Sequence, residues 1–469
     1  MSATNTKNPA STPKKHISMG AIFALVWPQT LMMLFQFLIG FTDVTVAGHI
    51  GTEVQATFGF MTRCMFFLLV VGFALSNGGV AAISQALGAR LYLRAERYVG
   101  LMFKLGGLLC VVIVILAYAL RHQIMWAVQV PDSILGLTIE LWELYIYIIP
   151  AQFLITLSIA VFRSHKQVWV PFFSSLIICS INVVGSCGFG LGWFGLPELG
   201  AKGIVCANII ALWVGVAFNF FALWRVKALT LQSFGPWRWE RMAVPYLVRV
   251  ALPAGGNQVL WQLGYVVLFA ITATLPSNSV AALAGTSAGF SAEAIIFLPT
   301  MAFSFTAAIL VGHCLGAGDR DEAKLVGLKL IGAGMVLMSL FGVVLYYYVD
   351  AVSAIVAQDP AVQTVAKDYL FFNILAIPFS CISVIVAGVL NGAGASLYSF
   401  AIFSSATWFV RLPLAWYLGH HVWQDATGIF MAMFISQAFQ AAVAAFVFLR
   451  CNWYRFASTA RRFSRAEAK

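Results

Sequence analysis

Asp43 is the residue of this sequence that most directly suggests chemistry, because it is an acid placed inside a long apolar stretch. A carboxylate in such surroundings costs at least about 2–3 kcal/mol unless it is paired or hydrated, and it usually marks an ion or proton pathway. Gln29, Gln36 and Asp43 are spaced by seven residues, so a helix would align them as a polar stripe on one face. We expect the stripe to line a cavity and Asp43 to bind a cation or a proton. A structural carboxylate held by hydrogen bonds is the alternative.

Two further residues in apolar stretches bear on the same chemistry. Pro28 removes a backbone hydrogen bond, so it permits a bend in the helix that carries Asp43. If the stability of this bend depended on the charge of Asp43, the bend would couple ion binding to the conformation of the helix. A static kink fits the sequence equally well. Glu293 is the strong acid within an apolar stretch of the second half. It either binds substrate or a cation, or pairs with a neighbour such as Arg63 or Arg411.

The sequence lacks other catalytic and metal-binding patterns. Its histidines fall near the ends of apolar stretches at no spacing that suits a metal site, and its eight cysteines include no CxxC pair. HExxH, paired aspartates and a Ser/His set are absent too, which argues against a membrane-embedded enzyme. We therefore expect no catalytic residue, no bound metal and no cofactor.

The apolar stretches themselves predict membrane-spanning helices. The residues AVILMFWYC make up 61% of the 469 positions and charged residues only 10%, whereas a soluble domain has roughly 25% charged residues. A helix needs about 20 apolar residues to cross a bilayer. The fold class is therefore predicted to be an all-α integral membrane protein. Its spans are expected near 22–47, 55–83, 99–120, 138–162, 169–192, 202–224, 250–275, 280–312, 325–349, 367–390, 397–419 and 427–449.

The basic residues predict the orientation of these helices. Cytoplasmic loops carry an excess of Lys and Arg, and the first 20 residues are basic and lack the apolar core of a secretory signal. With this end inside, the even-numbered turns and both tails hold nearly all Lys and Arg, so both termini are expected in the cytoplasm. Topology thereby explains the net charge of +11 without a nucleic-acid partner, because the cations are spread over several loops.

An internal repeat organises the chain. At an offset of 225 to 228, WPQT around Pro28 aligns with LPAG around Pro253, and ALGAR at 86–90 aligns with CLGAG at 314–318. Two halves with an even number of spans are related by an axis along the membrane normal and enclose a central cleft that gives alternating access. The predicted organisation is an N-terminal tail (1–20), a first lobe (21–224), a linker (225–249), a second lobe (250–450) and a C-terminal tail (451–469).

Several motifs, in this order, resemble the multidrug and toxic compound extrusion (MATE) family, nearest its bacterial NorM-like branch. They are an early proline followed by DVTVAGHIG, QALGAR and VGHCLGAGD after the second and eighth spans, FGLPELGAKG before the sixth, and RLPLAW in the eleventh. The resemblance runs from about residue 20 to 450. It implies twelve helices in two pseudo-symmetric six-helix lobes. It also implies a secondary active transporter that exports amphipathic, often cationic organic compounds in exchange for H⁺ or Na⁺.

The resemblance also implies where coupling takes place. Family members have a cation site or proton switch at the aspartate matching Asp43, with an asparagine of the fifth span nearby, which is Asn182 here. Together with Gln36, these residues form the predicted coupling site. Many relatives carry a second acid four residues after the asparagine, where this chain has Ser186. A single carboxylate favours H⁺, because Na⁺ requires several oxygen ligands.

The second lobe departs further from the family pattern. NorM-like members carry acids in the seventh and tenth spans, where the nearest polar residues here are Gln258 and Gln262 in one and Ser380 in the other. These three residues and Glu293 are the candidates for a substrate site or a second cation site. At the position equivalent to the first-lobe aspartate the second lobe has Leu268. Coupling is therefore expected mainly in the first lobe.

The expected partners are small amphipathic organic cations and membrane lipid, with no nucleic acid. The chain is expected to act as a monomer in a bacterial inner (plasma) membrane. A lipid-linked oligosaccharide flippase of the same wider superfamily is the alternative function. It would favour extra spans and a strongly cationic cavity for pyrophosphate, whereas only Arg63 and Arg411 are expected to be buried here.

Overall fold

The computed structural model of the chain describes residues 16–356 and 359–457, and within them the regular elements are helices and none is a strand. The main helices of the first half are α1 (Met19–Ile50), α2 (Thr52–Gly88), α3 (Tyr92–Ala119), α4 (Asp132–Tyr145 and Ile148–Ser164), α5 (Trp169–Leu191) and α6 (Ala201–Arg225). Those of the second half are α7 (Trp237–Ala273), α8 (Ser279–Gly316), α9 (Arg320–Tyr347), α10 (Pro360–Gly392), α11 (Ser396–Ser405, extended to Val422) and α12 (Ala426–Arg450).

Most of these helices meet the requirements for crossing a membrane. Within the described residues, nine are long and apolar enough to do so, and the two parts of α4, bent by 47°, make a tenth span. Amides and basic residues lower the hydropathy of α7, and two π-helical segments, Ala406–Arg411 and Leu418–Val422, divide α11 into short pieces. With these two, the described part of the chain contains the twelve helices that the sequence predicts, and the multi-pass prediction is confirmed.

The predicted tails and linker can be compared with the described residues and with the bounds of α7. Residues 1–15 of the predicted N-terminal tail and 458–469 of the predicted C-terminal tail lie outside the described residues. α7 begins at Trp237, so the second part of the predicted linker 225–249 is helical and continuous with the seventh span. The helix runs through Pro245 and Pro253, and because proline has no backbone N–H to donate, one helical hydrogen bond is missing at each.

The first helix of each half crosses from one lobe to the other. In α1, Ile22 and Leu25 pack in the same core cluster as Phe303 of α8, whereas Met32 and Val46 pack in the first-lobe core. Pro28 lies at this change of partners. Each end of α1 is therefore anchored in a different lobe, and a bend at Pro28 would change the angle between the lobes.

α7 crosses in the opposite direction. Trp239 and Leu247 pack in a core cluster with Tyr98 of α3, whereas Leu268 packs in a second-lobe cluster. Pro253 lies between these two parts, at the position equivalent to that of the proline in α1. The internal repeat thus places a proline at both crossings.

The two lobes are closed on the side that carries the basic loops. A Cβ atom on Gly88 of α2 would lie 2.1 Å from the His313 carbonyl oxygen of α8, so a glycine is required for this close approach. The Gln85 amide donates to the Gly392 carbonyl oxygen at 2.8 Å. Within the described residues, Gln29 bonds to Thr306 and His313 to the Ser164 carbonyl oxygen, and these bonds between the halves lie on the same side.

Candidate functional site

The Asp43 carboxylate lies at the meeting point of three helices of the first lobe. It is buried, with 9% of the residue exposed. Ser186 of α5 donates a hydrogen bond from Oγ to Asp43 Oδ1 at 2.9 Å, and Asn208 of α6 donates from Nδ2 to Asp43 Oδ2 at 2.8 Å. Each carboxylate oxygen therefore accepts one bond from a neutral donor. Such bonds are what a charged carboxylate at this depth requires to remain stable.

Asn182 and Tyr145 complete the surroundings of the carboxylate. Asn182 lies one helical turn before Ser186 on α5, is fully buried and approaches Asp43. No hydrogen bond with acceptable geometry joins the two, and within the described residues neither amide atom of Asn182 has a hydrogen-bond partner. The ring of Tyr145, at the bend of α4, is buried within electrostatic range of Asp43. The site thus contains an unused amide next to its single acid.

Small residues bring these helices close enough for their side chains to meet. A Cβ atom on Gly185 would lie 2.8 Å from Ala207 Cβ, so α5 and α6 are in contact there. A Cβ atom on Gly190 would lie 2.8 Å from Val46 Cγ1, so α1 and α5 approach equally closely. Small residues allow such approach in membrane helices. This packing places the short side chains of α5 and α6 within hydrogen-bond distance of Asp43.

The three residues of the predicted polar stripe have different surroundings in the structure. Asp43 and Asn182 lie together, as predicted. Gln36 is exposed two turns away along α1 and does not join the cluster. Gln29 is fully buried and donates to Thr306 Oγ1 of α8 at 2.9 Å, so it joins α1 to the second lobe and does not line a cavity.

Two contributors to the site were not among the predicted residues. Asn208 was missed, although an amide within the apolar sixth span was an available signal. Ser186 was noted only as a departure from the family, yet it binds the carboxylate directly. A hydroxyl at this position keeps the hydrogen bond while adding no second negative charge.

Glu293 belongs to a separate polar group in the second lobe. Tyr369 of α10 donates a hydrogen bond to Glu293 Oε2, and Arg411 lies within electrostatic range of the carboxylate. Arg411 Nε donates to Ser436 Oγ at 2.9 Å, and the guanidinium lies 6.0 Å from the centre of the Tyr265 ring. Of the two arginines expected as neighbours of Glu293, Arg411 is the one that lies near it, although no ion pair joins the two side chains within the described residues.

The other predicted residues of the second-lobe site lie apart from this group. Arg63, expected to be buried, is exposed on α2, so that expectation is wrong. Depth along a helix predicts burial only when the residue also faces other helices. Gln258 is exposed, Gln262 and Ser380 are partly exposed, and no hydrogen bond in the described residues joins these three to Glu293.

Comparison with known proteins decides the family. The sequence profile of the MatE family matches residues 28–187 and 253–417, so each match begins at one of the two equivalent prolines. This chain belongs to the MatE family. The resemblance that the motifs indicated is thus confirmed. The two matched segments also correspond to the two copies of the repeat.

Several named proteins are similar to this MatE chain in sequence or in fold. It is 20% identical to the probable multidrug resistance protein YoeA of Bacillus subtilis, over 90% of both chains. It is 22% identical to a probable multidrug resistance protein NorM of Thermotoga maritima, over 91% of both chains. A crystallised mutant of the Vibrio cholerae MATE transporter VcmN has the same fold, with a TM-score of 0.86, 18% identity, and coverage of 93% of this chain and 98% of that one. The two-lobed architecture is therefore that of the family.

Proposed function

We propose that this MatE protein is a secondary active multidrug efflux antiporter that exports amphipathic, often cationic organic compounds in exchange for H⁺. The observation that carries the proposal is the buried Asp43 carboxylate, held by Ser186 and Asn208 within a membrane-spanning helix. Relatives named as multidrug resistance proteins support the substrate class. The coupling residues are Asp43, Ser186, Asn208 and Asn182.

Protonation would change the hydrogen bonding of Asp43. The ionised carboxylate accepts from two donors, and protonation turns one oxygen into a donor that needs an acceptor. The side-chain amide of Asn182 approaches Asp43, and its oxygen is not hydrogen-bonded within the described residues, so a rotation of this amide would supply the acceptor. The proton would therefore favour a different placement of α1 against α5 and α6. Because α1 is anchored in both lobes and lacks a backbone bond at Pro28, this local change would reach the angle between the lobes.

The donor set favours H⁺ as the coupling ion. Both oxygens of Asp43 already accept from neutral donors, and a proton needs one oxygen only. A Na⁺ ion would have to replace these donors and gather several oxygen ligands. Na⁺ exchange is the alternative within the same transport function.

The substrate would bind along the cleft face of α7 and α8. Trp261 and Phe297 stack with ring centres 6.0 Å apart and an angle of 9° between their planes. Gln258 and Gln262 lie one turn before and one residue after Trp261 on α7, so they would supply polar contacts to the same substrate. Stacked aromatic rings bind flat cations by cation–π attraction. Glu293 is already engaged by Tyr369, so we assign it to stabilisation of the second lobe.

The basic loops support a cytoplasmic position for the closed side. They follow α2 and α8 at Arg90 and Arg320, and the positive-inside rule places such loops in the cytoplasm. We therefore assign the protein to a bacterial inner membrane, acting as a monomer with both termini inside and its cleft open to the exterior. The flippase alternative is not favoured, because the relatives are named as multidrug resistance proteins and the buried Arg411 is already bound to Ser436.

Gradient-driven transport in proteoliposomes tests this function. Purified protein is reconstituted with a fluorescent organic cation, and a pH gradient and a Na⁺ gradient are imposed in separate experiments. We expect dye movement against its own gradient when protons flow the other way, and none above empty liposomes with Na⁺ alone. Uptake driven by a Na⁺ gradient alone would show that Na⁺, and not H⁺, is the coupling ion. Dye movement independent of both gradients would exclude antiport.

A further inference from the structure

A cavity of about 650 Å³ opens on the closed face, between the α2–α3 turn and the start of α7. It is separate from the cleft and from the Asp43 site. Its lining combines arginines with apolar side chains and contains no acid. The lining residues are Arg90, Leu91, Tyr92, Leu93, Arg94, Arg97, Pro236, Arg238, Trp239 and Met242.

The four arginines give this cavity a positive charge that suits an anion. The acid of α7, Glu240, is buried and forms an ion pair with Lys104 at 2.7 Å. Its negative charge is therefore compensated by Lys104. The first turn of α3 contains no acid, and Glu96 in the next turn is not among the lining residues. Arginine presents several N–H donors in a planar fork that matches phosphate oxygens. The lining thus fits a phosphate group.

Aromatic rings hold two of these arginines in place. The Arg94 guanidinium lies 5.7 Å from the centre of the Tyr98 ring, and only 6% of the residue is exposed. The Arg97 guanidinium lies 5.9 Å from the centre of the Trp239 ring, which is itself buried. Stacked and buried guanidinium groups lose less freedom when they bind a ligand. The cavity is therefore partly pre-organised.

Arg90 occupies a backbone position where glycine is favoured. Its φ is 59°, in the left-handed region, and it ends α2 through hydrogen bonds from Arg90 N to Leu87 O and from the next residue to Ala86 O. The equivalent residue in the second copy is Gly318, with φ 81°. A left-handed conformation is unfavourable for a residue with a Cβ atom. An arginine here therefore adds charge at a position where the fold alone would prefer glycine.

The second copy of the repeat does not share the basic cavity. Arg94 corresponds to Glu322, which accepts hydrogen bonds from Ile17 N–H at 2.8 Å and from His16 at 2.7 Å. The same scaffold thus carries an acid at one position and an arginine at the other. The positive cavity belongs to the first lobe alone.

Exposed apolar side chains next to the arginines identify the source of the phosphate. Tyr92 is 63% exposed, Leu93 49% and Met242 42%, and Trp237 at the start of α7 is 71% exposed. A free phosphate has no use for such a surface, whereas a phospholipid carries acyl chains beside its phosphate. Basic pockets on the cytoplasmic side of membrane proteins suit anionic lipid headgroups. We propose that this cavity binds the phosphate headgroup of an anionic phospholipid of the cytoplasmic leaflet.

Lipid binding to the purified full chain tests the proposal. Native mass spectrometry would measure binding of phosphatidylglycerol, with phosphatidylcholine as the neutral lipid and inorganic phosphate as the free anion. The variants are Arg90→Gly, Arg238→Gln and their combination. Arg241→Gln is the matched control, because it removes the same charge from an exposed residue of α7 outside the cavity.

We expect each single variant to bind phosphatidylglycerol about fivefold more weakly and the double variant roughly 30-fold more weakly, with Arg241→Gln unchanged. Arg90→Gly should unfold at the same temperature as the unmodified protein or higher without lipid, since glycine suits the left-handed backbone. Equal phosphatidylglycerol binding by the double variant and the control would overturn the site. Binding of inorganic phosphate as tight as that of the lipid, or of phosphatidylcholine as tight as phosphatidylglycerol, would overturn the assignment to an anionic lipid.

Discussion

Replacing Asp43 by asparagine is expected to abolish efflux. The amide side chain would keep the size of the original and an acceptor oxygen for Ser186, and the Asn208 amide can turn its oxygen to the new N–H, so we expect the helix packing to be retained. It cannot bind or release a proton, which removes the coupling step. Cells producing Asp43→Asn should accumulate ethidium at the rate of cells without the transporter. The amount of folded protein in the membrane, measured by fluorescence-detected size exclusion, should be unchanged.

The control for this experiment is Asp132→Asn. Asp132 is exposed at the start of α4, so the same chemical change is made away from the first-lobe cluster. Its efflux should match that of the unmodified protein. Normal ethidium efflux by Asp43→Asn at an equal membrane level would contradict the role of this carboxylate.

Removing the guanidinium of Arg411 is expected to have the largest effect on stability. Arg411 is 3% exposed and lies near Glu293, so Arg411→Met leaves the carboxylate without its neighbouring cation. Leaving a buried charge without a compensating neighbour costs up to about 3–5 kcal/mol, and the substitution also removes the hydrogen bond from Arg411 Nε to Ser436. The melting temperature in detergent should fall clearly. Adding Glu293→Gln to Arg411→Met should restore part of the loss.

Arg63→Met is the matched control for that variant. It removes a guanidinium from an exposed position of α2, where substitutions usually change stability by no more than about 0.5 kcal/mol. An Arg411→Met protein as stable as this control would contradict the stabilising interaction of Arg411 with Glu293 and Ser436. If Glu293→Gln alone stopped transport with no change in stability, Glu293 would be a coupling or substrate residue.

Hydropathy and the repeat predicted the helical architecture because both can be read directly along the linear sequence. Apolar length gives the spans, and equivalent landmarks such as Pro28 and Pro253 give the duplication. The crossing of α1 and α7 between lobes was not predictable in this way. An apolar face such as that of Ile22 and Leu25 does not specify which other apolar face it contacts.

The sequence indicates a residue of the candidate site when its type is rare in an apolar helix, and it does not indicate residues whose role depends on helix packing. One acid in an apolar helix is conspicuous, so Asp43 could be singled out from the sequence alone. Whether Asn208 faces Asp43 depends on the rotation of α6 about its axis, which the sequence does not specify. Arg63 was expected to be buried because of its position within the span, but it faces outward. Gln36 shares a helix face with Asp43, but the distance of two turns separates it from the cluster.

Proton release on substrate binding tests the central claim most directly. Purified protein in weakly buffered detergent solution is mixed with a saturating organic cation, and the change in pH is recorded by a fluorescent indicator. We expect the unmodified protein and Asp132→Asn to release protons on binding, and Asp43→Asn to bind the dye without release. Equal proton release by Asp43→Asn, or binding by the unmodified protein without any release, would contradict exchange of substrate for a proton at Asp43.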